Sequence, residues 1–207
     1  MYFMSGLDIL IGKSLDAIIR ENLGEITLRR VEQRLFERYG MGLSKTIEDF
    51  PKLDSVLREF FGGGTEGLEK KFLDGIVSLE HSKDKNQEWV TIEDPILATS
   101  ILTSLGDEDK AKILNAVLGE SKVISEILET CNLPQTSGYR KVNSLIENGL
   151  LVNEGFMTTR DGKIVNKYRT VFENIHIDIV KNSVIIRILV SHQSLKNSSV
   201  MQIVCSS

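Results

Sequence analysis

The hydrophobic period of this chain changes twice between residues 120 and 169, and those two changes leave little freedom in how the stretch can fold. In residues 121–131, apolar side chains recur at Val123, Ile124, Ile127, Leu128 and Cys131, the three-and-four spacing of one buried helical face. Asn132-Leu133-Pro134 ends that pattern, because proline lacks the N–H a continuing helix needs yet fits the first turn of a new one. A second helix is predicted there. Val142, Leu145 and Ile146 form its apolar stripe, and Gln135, Thr136, Ser137, Tyr139, Arg140 and Asn143 fall largely on the other side. Gly138 costs helix stability, so its presence predicts a close approach to the preceding helix. Glu147-Asn148-Gly149 supplies a left-handed C-cap. Beyond it the period becomes two. Residues 151–159 and 164–170 flank Arg160-Asp161-Gly162-Lys163, and Asp-Gly between β-prone runs signals a hairpin because both residues tolerate positive φ. Arg160, Lys163 and Lys167 are expected to crowd its tip.

Helix, tight turn, helix and a basic-tipped hairpin make the layout of a winged helix-turn-helix. The polar residues of the second helix are of the types that donate to phosphates and read base edges in a major groove. Positive charge at the hairpin tip would gain affinity for the flanking groove by releasing counterions. The run from Leu133-Pro134-Gln135-Thr136-Ser137-Gly138-Tyr139-Arg140 to Leu150-Leu151 resembles the recognition helix and exit of archaeal and bacterial regulators in the arsenical-repressor-like winged-helix superfamily. The resemblance covers roughly residues 95–180. It implies that Thr136, Ser137, Tyr139 and Arg140 face DNA and that residues 160–163 form the wing. Gly138 departs from the small branched residue more usual at its position. No cysteine or histidine set matches the metal-sensing members, so metal sensing is not carried over.

Charge bears on the DNA expectation independently. The chain is acidic, with 25 Lys+Arg against 29 Asp+Glu, which excludes a generally basic nucleic-acid coat. Residues 132–170 nevertheless carry six basic side chains against three acidic, a net of +3, while residues 81–131 carry five against ten. So modest an excess predicts weak binding by one copy and a homodimer on a two-fold site.

The first eighty residues predict a helical bundle. Leu7, Leu10, Ile11, Leu15, Ile18, Ile19 and Leu23 mark one amphipathic helix closed by Gly24, and a second runs from about Thr27 through Val31, Leu35 and Phe36 to Tyr39. A third follows Ser44, with Pro51 kinking or dividing it, up to the glycines 62–64. Thr65 opens a fourth that contains Leu68, Phe72, Ile76 and Val77. Asn22-Leu23-Gly24, Glu32, Tyr39-Gly40 and Phe60-Phe61-Gly62 are similar to a small helical output module fused to regulators and sensors in ammonia-oxidising archaea. That resemblance implies no chemistry. Packing is the expected role, with dimerisation or reception of an effector or protein partner as the functional alternative.

Residues 81–88 are polar and without period, which predicts a linker over 81–93. Asp94-Pro95 and Asp107 read as helix N-caps, followed by Ile96, Leu97, Ile101 and Leu105 in one helix and Ile113, Leu114, Val117 and Leu118 in the next. After the wing, Ile175, Ile177 and Ile179 alternate with polar residues, and Val184, Ile186, Ile188 and Val190 follow a turn. This second hairpin either extends the wing sheet or pairs with a second subunit. Residues 191–207 are expected to fray as a tail, with 200–204 as a candidate edge strand.

Several chemical signals fail. Gly12-Lys13-Ser14 would need an earlier glycine where Leu7 stands, and it lies inside a predicted helix. Gly62, Gly64 and Gly67 match a dinucleotide fingerprint in spacing but follow a helix rather than a strand. His81, His176 and His192 are scattered singly, and Cys131 and Cys205 are too few for a disulfide framework. No catalytic constellation, metal site or cofactor site is expected, and no apolar run approaches the roughly 18 residues that span a bilayer. The sequence therefore predicts a mainly α chain with a small β part, divided into a bundle (1–80), a linker (81–93), a winged helix-turn-helix with an extra hairpin (94–190) and a tail (191–207). Its expected role is that of a cytoplasmic homodimer regulating transcription on double-stranded DNA. A winged-helix adaptor that binds protein instead is the alternative.

Overall fold

The computed structural model describes residues 5–81, 86–181 and 183–205. It is a mixed α/β structure, mostly helical, that opens with a helical segment. Helix α1 (Gly6–Tyr39) is broken at Gly24, whose φ of 67° and ψ of 161° lie outside the helical region, so the two helices expected around this glycine meet end to end. Helix α2 (Leu43–Ile47) and α3 (Phe50–Phe61) are separated just ahead of Pro51, and a single tight turn at Gly62–Gly64 leads into α4 (Thr65–Leu73). That fourth helix stops short of Ile76 and Val77. Gly75 takes a left-handed φ of 80°, and Val77 opens a strand instead.

The linker expected at 81–93 is corrected. Strand β1 (Val77–His81) pairs antiparallel with β2 (Gln87–Ile92), and residues 82–85 lie outside the described residues. Val90 and Ile92 are buried and alternate with Trp89 and Thr91, a period of two that the charged run before it hides. Helices α5 (Pro95–Gly106) and α6 (Glu108–Ala116) are capped as expected, with Asp94 accepting from the Leu97 N–H and Asp107 from those of Asp109 and Lys110. Val117 is buried as predicted, but Leu118 faces out, because α6 has already ended at Ala116.

Then come β3 (Lys122–Val123), α7 (Ile124–Thr130), α8 (Gln135–Glu147), β4 (Leu151–Thr158) and β5 (Ile164–Thr170). The helix expected from residue 121 begins three residues later, since Lys122 and Val123 pair with Tyr168 and Lys167 of β5. The sheet order is β3-β5-β4. The second hairpin, β6 (Asn174–Val180) and β7 (Ser183–Ser191), does not extend that sheet. It joins the first hairpin in the order β1-β2-β7-β6, with Val90 opposite Ile188 and Ile92 opposite Ile186.

The tail is also corrected. Residues 192–205 form α9 (His192–Asn197) and α10 (Ser199–Cys205), with Leu195, Val200 and Met201 buried. Their anchor is Asp8 of α1. Its buried carboxylate accepts from the Ser198 hydroxyl, from the Ser199 N–H and hydroxyl at 3.2 and 3.1 Å, and from the Val200 N–H at 3.2 Å. An aspartate from one end of the chain thus caps a helix at the other. Burial pushes the Asp8 carboxyl above its ordinary range while these donors pull it down.

The bundle is not a detached module. Its buried residues and those of the rest of the chain form one contiguous core. Within that core the Ser14 hydroxyl donates to Asp94 at 2.8 Å, and the start of α1 lies against the exit of α8. Among the described residues no helix is long and apolar enough to cross a membrane.

Candidate nucleic-acid interface

The turn between α7 and α8 is built by backbone bonds. Asn132 adopts a left-handed φ of 52°, and the Leu133 N–H donates to the Leu128 carbonyl at 2.9 Å, which closes α7 as a left-handed cap. Pro134 then stands at the N-cap of α8 with an extended ψ of 138°. The close approach expected at Gly138 is present: a Cβ there would meet Leu128 Cδ2 at 2.4 Å. Because the obstacle is the end of a flexible side chain, Gly138→Ala should cost only about 1 kcal/mol by urea unfolding. Leucine repacking is partly offset by better helix propensity.

The buried residues of α8 are Gly138, Val142 and Leu145, which leaves Gln135, Thr136, Ser137, Tyr139, Arg140 and Asn143 exposed along its other side. These are the six residues singled out on this helix by sequence. Lys141 is turned the other way, bonded to both Asp107 oxygens at 2.7 and 2.8 Å and to Asp109 at 3.0 Å. This contact holds the Asp107 carboxyl below its usual range, chiefly through the lysine bond. Lys110 also reaches Ser144 at 2.9 Å, so α6 grips α8 from behind and leaves its outer face open.

The hairpin turn is closed by hydrogen bonds. The Thr159 N–H donates to the Lys163 carbonyl at 2.8 Å, the Lys163 N–H to the Thr159 hydroxyl at 3.1 Å, and Gly162 takes φ 80°. Arg160 and Lys163 are exposed at this tip, as expected. Lys167 is not. It lies down β5 opposite Val123, half-buried beside Glu120, because the strand carries it several residues away from the turn.

The net +3 of this region is thinner in space than in sequence. Lys141 is tied to Asp107, Arg169 to Glu154 and Glu173, and Lys163 to Asp161 at 2.9 Å. Arg140 and Arg160 make no ion pair with the described residues, one on the helix and one on the hairpin, and no hydrogen bond joins their two elements' exposed sides. The described residues carry no dense basic patch. They also contain no group of histidine, cysteine and acidic side chains that could hold a metal ion. What sequence missed here is the pairing of Lys141 and Arg169, whose partners lie outside their own helix and strand.

Comparison of the chain with protein-family models, with curated proteins and with solved structures finds no match.

Proposed function

We propose that α7, α8 and the β4–β5 hairpin form a winged helix-turn-helix and that the protein is a sequence-specific regulator of transcription on double-stranded DNA. The observation that carries this reading is the outer face of α8, where six side chains able to bond phosphates or base edges stand exposed while α6 fixes the helix from behind. In this reading α8 enters the major groove. Arg140 contacts a guanine edge or a phosphate, and Tyr139 a phosphate or thymine methyl. Gln135, Thr136, Ser137 and Asn143 bond backbone and neighbouring bases, and Arg160 and Lys163 reach the flanking groove. With few unpaired cations, the affinity comes from two copies on a two-fold site. The packing of α1 on the exit of α8 gives an effector or partner at the N-terminal helices a direct route to the reading head.

A salt-dependent mobility shift on genomic fragments recovered with the intact protein tests this. Arg140→Ala should weaken specific binding by about 1–3 kcal/mol and relax the sequence preference, and Arg160→Ala/Lys163→Ala should flatten the salt slope by about 1–2. Unchanged affinity and slope in both variants would remove the DNA reading. One observation favours a second reading, in which the hairpin docks on protein. Phe156 and Ile164 are 65% and 70% exposed and lie on one face of β4–β5.

A further inference from the structure

Strand β6 is the edge of the four-stranded sheet, so alternate residues turn backbone N–H and C=O groups away from β7 with no strand among the described residues to receive them. Sheets protect such edges with lysines, prolines, bulges or a covering element. Asn174-Ile175-His176-Ile177-Asp178-Ile179-Val180 has no lysine or proline, and its register with β7 runs without a bulge from Asn174 opposite Leu189 to Val180 opposite Ser183. Its odd-numbered isoleucines share the face of Ile186 and Ile188, which are core residues. That apolar face does not stop where the core stops. Ile177, Ile179 and Val184 continue it outward, and Ile179 is 79% exposed.

We propose that the partner of this edge is a second copy of the chain, paired β6 to β6 in antiparallel fashion about a two-fold axis through Ile177. The axis must stand perpendicular to the sheet, so each residue faces one of the same parity and the isoleucine face stays on one side. Ile177 is the middle residue of the strand, so only this centre pairs the strand along its whole length. The same centre sets Ile175 against Ile179 of the other copy and the imidazole of His176 against the carboxylate of Asp178, twice over. A centre at Asp178 would set like charges together, and one at His176 would oppose two imidazoles and leave Val180 unpaired. Length and charge thus select one register. Within each copy the His176 ring lies 4.9 Å from that of Trp89, and Arg187 bonds Asp178 at 2.6 Å. The result is one continuous sheet through both copies, whether or not the face of α8 meets DNA.

Sedimentation equilibrium of the full chain reads the pairing directly. The wild type is expected to be dimeric, and Ile177→Lys monomeric with an unchanged far-ultraviolet spectrum. His176→Asp, which places carboxylate against carboxylate at two positions, should weaken the dimer roughly tenfold or more. His176→Asp/Asp178→His should restore it, since the swap returns an imidazole opposite each carboxylate and keeps an acid beside Arg187. In a Cys131→Ser/Cys205→Ser background, Ile177→Cys should cross-link to itself on oxidation, because paired antiparallel residues stand about 5.5 Å apart, within disulfide reach. A monomeric wild type overturns the proposal. So does a dimer that survives Ile177→Lys or fails to cross-link through residue 177, or a swap that leaves the His176→Asp defect uncorrected.

Discussion

Gly149→Ala is expected to be among the most damaging single substitutions in this protein, lowering stability by about 3–5 kcal/mol in urea unfolding. Two costs combine. Gly149 sits at φ 73°, where an added Cβ costs about 1–2 kcal/mol by itself. The same Cβ would stand 2.5 Å from the Leu10 N, 2.7 Å from the Gly6 O and 2.9 Å from the Leu10 Cα. All three are backbone atoms of α1, so no rotamer change relieves the overlap, and the first helix must move off the exit of α8, adding the upper range of an overpacking penalty. Gly6 faces the same junction from the other side, where a Cβ would meet Val152 Cγ1 at 1.9 Å. Gly138→Ala provides the internal comparison, because its obstacle is a leucine side chain that can turn away. Equal losses for the two substitutions would show that α1 yields as easily as a rotamer does.

Glu69→Gln is expected to stabilise the protein, increasingly as pH rises from about 4.5 to about 8. Glu69 lies on α4 and is 2% exposed, and its Oε1 has no hydrogen-bond partner among the described residues. Burial first, and then the neighbouring Asp54 carboxylate, push its carboxyl from the ordinary 4.5 up to about 8. The folded protein therefore holds this proton more tightly than the unfolded chain does. Stability from that preference is fully present below about pH 4.5 and is lost as pH rises through about 8, where the buried group must ionise. Glutamine keeps the shape and a donor toward Asp54 without ionising. Its advantage over the wild type should be near zero below about pH 4, reach about 3 kcal/mol by about pH 7, and level off at about 4–5 kcal/mol above about pH 8. Parallel pH profiles for the two proteins would mean that Glu69 ionises at its ordinary value.

The legible parts of the chain were those whose cause is local. The caps at Asp94 and Asp107, the break at Gly24, the division ahead of Pro51, the helices on either side of the residue 132–134 turn and the Asp161-Gly162 hairpin all follow from backbone chemistry within a few residues. Of the candidate site, the exposed side of α8 was legible for the same reason, since the period that buries Val142 and Leu145 turns Thr136, Arg140 and Asn143 outward. Lys167 was misplaced because a count of residues near a turn does not say how far a strand has carried a side chain from it.

What escaped was non-local. Residues 87–92 look like a linker until β7 lies beside them, for a strand whose alternation is masked by neighbouring charge is defined mainly by the ladder it completes. Residues 192–205 look like a fraying tail until Asp8 supplies the cap and the helices ahead supply the apolar surface, because helices of six or seven residues are not stable on local bonds alone. The sequence by itself determined the caps and breaks that have a local cause, at Gly24, Asp94, Asp107 and Pro134, and which side chains α8 presents. Only the tertiary structure decided that the first helix, the sheet and the last two helices share one core, that half of the six local cations are already paired, and that β6 is left at an open edge. Each of those outcomes depends on groups distant in the chain meeting in space, and local periodicity carries no record of such meetings.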